Sequence, residues 1–150
     1  GAVSRVRTRL AYLFKLWDQG IRFKEVVLLG SDRLLDPSLE SIDILRHEQM
    51  DGLTIKKDYQ MTAEPHTESE MIKMVIDQVE LPKGFKQVTI NLINTPNIET
   101  AQLEEQIPVI LLNHGLKQIP CQALFWLSLI NPMSDIRTHV YSPICPLPLQ

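Results

Sequence analysis

Three short apolar runs, each closed by small polar residues, constrain the fold of this chain more than any other feature. The runs cover 26–29, 88–93 and 109–112, and they end at Gly30-Ser31-Asp32, Asn94-Thr95-Pro96-Asn97 and Asn113-His114-Gly115. Aliphatic runs of this length are typical of strands that are buried on both faces. A fourth strand is predicted at 138–141, before a proline-rich end that cannot continue a central strand.

Helical patterns separate these runs. In 4–19, apolar side chains recur at helical spacing, and Gly20 suits a left-handed C-terminal cap. The apolar side chains of this helix are Val6, Leu10, Leu13, Phe14 and Trp17. We expect its basic residues to face water, namely Arg5, Arg7, Arg9 and Lys15.

A second helix is predicted to begin at Thr67, because Thr67 and Glu70 have the spacing of a capping box. Its apolar face comprises Met71, Met74, Val75 and Val79. Two further helices are predicted. One covers about 98–106, and the other begins at Pro120 and includes Ala123, Leu124, Trp126 and Leu127.

Alternation of strands and helices predicts parallel pairing through right-handed crossovers. The predicted fold is therefore α/β, a single domain of residues 1–150 with an open, mainly parallel, doubly wound sheet and helices on both faces. Residues 32–66 lack strong periodicity apart from a short helix within 38–48. Excursions of this length are often lids or binding segments, so a lid-like role is predicted for it.

Composition excludes several classes of protein. The net charge of −3 argues against a nucleic-acid partner, which normally meets a basic stripe. No run reaches the roughly 20 apolar residues of a membrane span, and the first residues do not resemble a targeting segment. Cys121 and Cys145 cannot form a disulfide framework, so the compartment is left open.

Most motifs that carry chemistry are absent from the sequence. It has no glycine fingerprint for dinucleotides, no phosphate-binding Walker loop and no nucleophile elbow. The four histidines lack metal-ligand spacing, so no metal site is predicted. Cys121 follows Pro120 and is predicted to be a buried apolar residue rather than a reactive thiol.

The polar residues after the predicted strands are the candidate site, because ligands of open parallel sheets bind beyond the carboxyl ends of the strands. The candidates for ligand binding are Gly30, Ser31, Arg33, Asn94, Thr95, Asn113 and Gly115, and those for acid/base chemistry are Asp32 and His114. Each also has a purely structural interpretation. Gly30-Ser31-Asp32 suits a turn, and Thr67, Glu68 and Glu70 suit a helix cap.

The order of these segments resembles the YdcF/SanA-like group of bacterial proteins, a broad family of unknown function with a Rossmann-like fold. The resemblance covers about residues 1–100 and rests on RTRLAYLFKLWDQG, VVLLGS, TESEMIKMV and INTP. It implies that Gly1-Ala2, Gly30-Ser31 and Glu68/Glu70 match the family's turns and acidic helix start. It also implies that Gly1 belongs to the ligand site and ends a strand whose body precedes residue 1.

These features lead to one principal hypothesis of function and two alternatives. The principal hypothesis is a domain that binds a small anionic or nucleotide-like metabolite, including an adenosyl cofactor, at the strand ends. One alternative is a non-catalytic protein-interaction domain, with 32–65 and the proline-rich end as contact surfaces. The other is a phosphoester hydrolase in which Asp32 and His114 act as acid and base. The sequence leaves open whether the chain is an enzyme.

Overall fold

The computed structural model describes residues 2–46, 52–94 and 109–116, together with the backbone of 122–126 and 139–141. In chain order its elements are α1 (Ala2–Asp18), β1 (Glu25–Gly30), α2 (Ile42–Leu45), α3 (Glu68–Gln78), a 3-10 turn (Phe85–Gln87), β2 (Thr89–Asn94), a helical segment at 109–113, β3 (Gln122–Trp126) and β4 (His139–Tyr141).

The four described strands form one sheet in the order β2-β1-β3-β4. Strand β1 is parallel to both of its neighbours, whereas β4 pairs antiparallel with β3. Gly30 lies opposite Asn94, and Leu29 lies opposite Trp126. The carboxyl ends of β1, β2 and β3 therefore lie at one rim of the sheet. The predicted α/β class and the parallel pairing of the first two apolar runs are confirmed.

Helices cover both faces of β1, because successive strand side chains point to opposite faces. Val26 and Leu28 pack in the core formed by α1 and α3. Val27 and Leu29 pack with Ile93 and with the helical segment 109–113. All six residues of β1 are buried, as predicted for a central strand of a parallel sheet.

Helix α1 forms as predicted, since the five apolar side chains named for it are all buried. Each buried side chain of this size contributes roughly 1.5–3 kcal/mol relative to exposure. At its carboxyl end Trp17 stacks edge to face on Phe85, with ring centroids 4.9 Å apart, and its indole N–H donates to the Lys83 carbonyl. Gly20 has a φ of 98°, the left-handed conformation predicted for the cap.

The run at 109–112 is a correction to the sequence prediction, because it begins a helical segment and not a strand. Ile110 and Leu111 are buried, whereas Val109 and Leu112 are exposed by 57% and 72%. Only half of the run therefore faces the core. A continuous apolar run of four residues does not by itself distinguish a strand from a short helix.

The segment after Pro120 is a second correction, because it contains a strand where a helix was predicted. Residues 122–126 were predicted to be helical, but they form β3, which pairs with β1 over its whole length. Leu127 and the helix predicted at 98–106 lie outside the described residues. The last predicted strand is confirmed as β4.

Two basic residues of α1 that were predicted to face water are buried. Arg7 and Arg9 are each only 8% exposed. The Arg7 guanidinium donates to the carbonyls of Ile44 (2.8 Å) and Leu45 (2.7 Å) at the end of α2. A buried guanidinium is held by such acceptors because an unpaired buried charge is costly. Burial also lowers the pKa of Arg7.

The excursion 32–66 packs against the helical layer where it is described. Leu45 and Leu53 are buried in the same core as α1 and α3. Two isolated antiparallel bridges join it to the residues that flank α3, at Leu34 with Thr67 and at Ile55 with Val79. Among the described residues, no helix combines the length and apolar character needed to cross a membrane.

Candidate functional site

The loop after β1 and the first turn of α3 meet at the rim formed by the carboxyl ends of the strands. The Ser69 amide and the Ser69 hydroxyl both lie 3.1 Å from the Ser31 carbonyl oxygen, and the Glu68 amide donates to the Arg33 carbonyl (2.9 Å). The Ser69 hydroxyl also lies 3.0 Å from Asn94 Oδ1, at the end of β2. Two strand ends and one helix start therefore share a single cluster, which we call the Ser31 rim.

Gly30 permits this close approach of helix to strand. A Cβ at Gly30 would lie 2.6 Å from Ser69 Oγ, 3.0 Å from Ile72 Cδ1 and 3.2 Å from Ser69 Cα. A side chain at this position would therefore require the Ser69 hydroxyl to move and the backbone of α3 at Ser69 to give by a few tenths of an ångström. Gly30 is therefore needed for the proximity of α3, and the prediction of a glycine at the site has a steric reason.

Glu68 is the most unusual group of the Ser31 rim. It is only 4% exposed, and its Oε2 is hydrogen-bonded to the Ser31 hydroxyl. Among the described residues its Oε1 is buried without a hydrogen-bond partner. Burial raises the pKa of Glu68, and the Ser31 hydrogen bond and the Arg33 charge oppose that shift. The Arg33 amide also donates to Ser31 Oγ (3.3 Å), so Ser31 connects the loop to α3.

Arg33 forms an ion pair with a buried carboxylate. Its guanidinium donates to both oxygens of Glu40, at 2.9 and 3.4 Å, and the Asp36 amide donates to the same carboxylate (2.8 Å). The side chains of Arg33 and Glu40 are 30% and 2% exposed. Arg33 was predicted to bind the ligand, but much of its donor capacity is used by Glu40.

Asp32 and Asn94 form the outer edge of the Ser31 rim. The Asn94 side-chain amide donates to Asp32 Oδ1, and both residues are exposed. This hydrogen bond joins the loop after β1 to the end of β2. It is the contact expected when parallel strands end side by side.

The N-terminal amides of α3 are already paired. The Glu70 amide donates to Thr67 Oγ1 (3.3 Å), while the Glu70 carboxylate accepts from the amides of His66 (2.7 Å) and Thr67 (3.2 Å). The predicted capping box is therefore confirmed. Together with the amides of Glu68 and Ser69 described above, it leaves no unpaired amide in the first turn of α3 for a bound anion.

The structure brings five of the predicted site residues together: Gly30, Ser31, Asp32, Arg33 and Asn94. The strand-end position predicted for Asn113, His114 and Gly115 is wrong, because Asn113 ends the helical segment 109–113 and the other two residues follow it. The proposed action of Asp32 and His114 as acid and base assumed the same strand-end position for His114. Gly1, Thr95 and Asn97 lie outside the described residues.

Sequence reasoning missed the place of Glu68, Ser69 and Glu40 in the site. Glu68 was interpreted as a cap residue and, through the resemblance, as part of an acidic helix start. A signal was nevertheless present, since Glu68 precedes Ile72 by four residues and Val75 by seven, which places it on the buried face of α3. Glu40 offered no local signal, because its partner lies on another part of the loop.

Metal binding has no support in the described part of the chain. There, no group of three or more histidine, cysteine, aspartate or glutamate side chains is arranged to hold an ion.

Comparison with protein-family models, with curated proteins and with solved structures finds no match to this chain. The candidate site therefore rests on its own geometry.

Glu68 and Glu70 are expected to have opposite effects on the pH dependence of stability. The pKa of Glu68 is raised, so the stability it contributes is present below the ordinary glutamate value and is lost as pH rises through the folded-state pKa. The pKa of Glu70 is lowered by the amides of His66 and Thr67, so its contribution is present at neutral pH and is lost as pH falls through the folded-state pKa.

The matched variants Glu68→Gln and Glu70→Gln test this difference. Relative to the unmodified protein, Glu68→Gln should gain free energy of unfolding between about pH 3.5 and about pH 7, and Glu70→Gln should lose it. Denaturant unfolding at both pH values measures each change. Equal pH trends for the two variants would show that burial of Glu68 does not control its protonation.

Proposed function

We propose that the Ser31 rim binds a small polar, nucleotide-like metabolite, and that the chain is a Rossmann-like, doubly wound domain. The observation that carries the proposal is the buried Glu68 carboxyl, hydrogen-bonded to Ser31 and with one oxygen unpaired among the described residues. A buried unpaired oxygen costs roughly 1–3 kcal/mol, and such groups with displaced pKa values concentrate at functional sites.

Topology supports the same location. In open parallel sheets, ligands bind outside the carboxyl ends of the strands, where neighbouring loops diverge. Strand β1 has a parallel neighbour on each side, and the loop after it contributes Ser31, Asp32 and Arg33. Helices lie on both faces of β1, as a doubly wound fold requires.

Membership of the YdcF/SanA-like group is part of this proposal. The resemblance rests partly on a Gly-Ser turn after a strand and on an acidic helix start, which are Gly30-Ser31 and Glu68 in this chain. These features are distant in sequence, yet Ser31 and Glu68 are hydrogen-bonded to each other. Their proximity is what a shared binding site at those two motifs would need.

A thermal-shift screen tests the proposal. The ligands are nucleotides, sugar phosphates and adenosyl cofactors, each at saturating concentration. One of them should raise the melting temperature, and at a hundredfold excess over its dissociation constant it should add about 2.7 kcal/mol to the free energy of unfolding.

The control locates the ligand. Ser31→Ala should reduce the shift, whereas Ser38→Ala, in the same loop but with its hydroxyl hydrogen-bonded to Asp36, should keep it. An unchanged melting temperature with every ligand would refute a nucleotide-like ligand, and an equal shift in both variants would place the ligand elsewhere.

A further inference from the structure

We infer that the Ser31 rim recognises hydroxyl groups of its ligand, the ribose of a nucleotide-like metabolite, and makes no essential contact with phosphate. The inference rests on the proposed function, since it specifies which part of that ligand lies at the rim.

Most hydrogen-bond donors of the rim are already used. The three N-terminal amides of α3 donate within the protein, to Arg33, Ser31 and Thr67. The Ser69 hydroxyl has two acceptors within 3.1 Å, and Ser31 Oγ is hydrogen-bonded to Glu68. Among the described residues, Arg33 Nε is a buried donor without a partner. A phosphate group needs several convergent donors, and this one nitrogen does not supply them.

The single arginine does not make the rim cationic. Arg33 is paired through both terminal nitrogens with Glu40, and Nη1 also donates to the Leu34 carbonyl. Asp32 adds a second carboxylate at the exposed edge. Without Glu68, the rim and its loop therefore hold two carboxylates, Asp32 and Glu40, and one guanidinium, which is paired with Glu40. Coulomb repulsion would oppose a phosphate at this position.

Acceptors are what remain available. Only Oδ1 of Asp32 has a hydrogen-bond partner in the described part of the chain, the Asn94 side-chain amide. Asp32 is exposed at the strand ends, so its carboxylate can accept from a ligand. Hydrogen bonds from neutral hydroxyls to a carboxylate are charge-assisted and stronger than neutral ones. A pair of adjacent hydroxyls matches the two oxygens of one carboxylate.

A binding experiment with a matched ligand set tests the inference. The ligands are adenosine, guanosine, cytidine and uridine, their 5′-monophosphates, their 2′,3′-dideoxy counterparts, and inorganic phosphate. Calorimetry on the whole chain measures each affinity. At least one ribonucleoside should bind, its monophosphate should bind no more tightly, and its dideoxy counterpart should bind at least about tenfold more weakly.

A pair of variants assigns the effect to Asp32. Asp32→Asn removes the charge and one acceptor at nearly constant shape, so it should weaken the ribonucleoside by about tenfold or more. The dideoxy compound should be unaffected. The control is Asp58→Asn, an exposed carboxylate in the turn at 57–58, which should change neither affinity.

The outcomes separate the two proposals. Tighter binding of the monophosphate, competition by inorganic phosphate, equal affinity of the dideoxy compound or an unaffected Asp32→Asn variant would overturn the hydroxyl inference. Each of those results would leave the binding site itself intact. Absence of binding by every nucleoside and monophosphate would overturn the nucleotide-like proposal as well.

Discussion

Replacing Leu45 by alanine is expected to lower the free energy of unfolding by about 2–5 kcal/mol, the range for buried leucines. Leu45 is 1% exposed, although it lies in the middle of the excursion that the sequence predicted to be lid-like. Its carbonyl accepts from Arg7 (2.7 Å) and lies 3.3 Å from Gln78 Nε2. The side chain and backbone of Leu45 therefore tie the excursion to α1 and α3.

Leu39→Ala is the matched control, because Leu39 belongs to the same excursion but is 57% exposed. Its effect should stay within about 0.5 kcal/mol. Denaturant unfolding measures both variants. If Leu45→Ala also cost less than about 1 kcal/mol, the excursion would open independently of the core, as a mobile lid does. A large cost means that this part of the excursion opens only with the core.

Elements with strong local signals could be predicted from the sequence. Helix α3 has a capping box and an apolar face, and helix α1 has five apolar residues at helical spacing followed by Gly20. Strand β1 is an unbroken apolar run closed by glycine. In each case every residue that decides the structure lies within about one turn of the next, so neighbouring sequence was sufficient.

The two elements whose type was predicted wrongly show the limits of local sequence signals. The run at 109–112 is as apolar as β1 but is helical, and the helix-favouring Ala123 and Leu124 lie in a strand. Residues 122–126 form a strand because they pair with β1, whose residues lie almost a hundred positions earlier in the chain. Tertiary contacts of that kind override the weak preferences of four or five residues.

The candidate site was partly predictable for the same reason. Ser31 and Asp32 follow β1 and Asn94 ends β2, so their meeting at one rim follows from parallel pairing. The pairing of Arg33 with Glu40 depends on how the loop folds back, and no periodicity records it. Arg7 was misplaced similarly, because its acceptors at Ile44 and Leu45 lie far along the chain. A sequence pattern assigns a charged residue to the surface when the hydrogen-bond partners that allow its burial are distant in the chain.

The Gly30→Ala variant is expected to lose about 1–3 kcal/mol of stability and most of its response to ligand. The added Cβ would overlap Ser69 Oγ at 2.6 Å and approach Ser69 Cα at 3.2 Å, so the start of α3 must shift away from β1. That shift would move Glu68 away from Ser31, because both belong to the same contact between helix and strand. Thermal melts with and without the best ligand measure both effects.

Ser69→Ala provides the control for the steric origin of the loss. Alone, it should cost about 1 kcal/mol, since the Ser69 hydroxyl bonds to Ser31 or to Asn94. Combined with Gly30→Ala, it removes the closest overlapping atom, so the double variant should be less destabilised than the sum of the two single variants. A Gly30→Ala variant of unchanged stability, or strict additivity of the two substitutions, would show that close approach of α3 does not dictate glycine at this strand end.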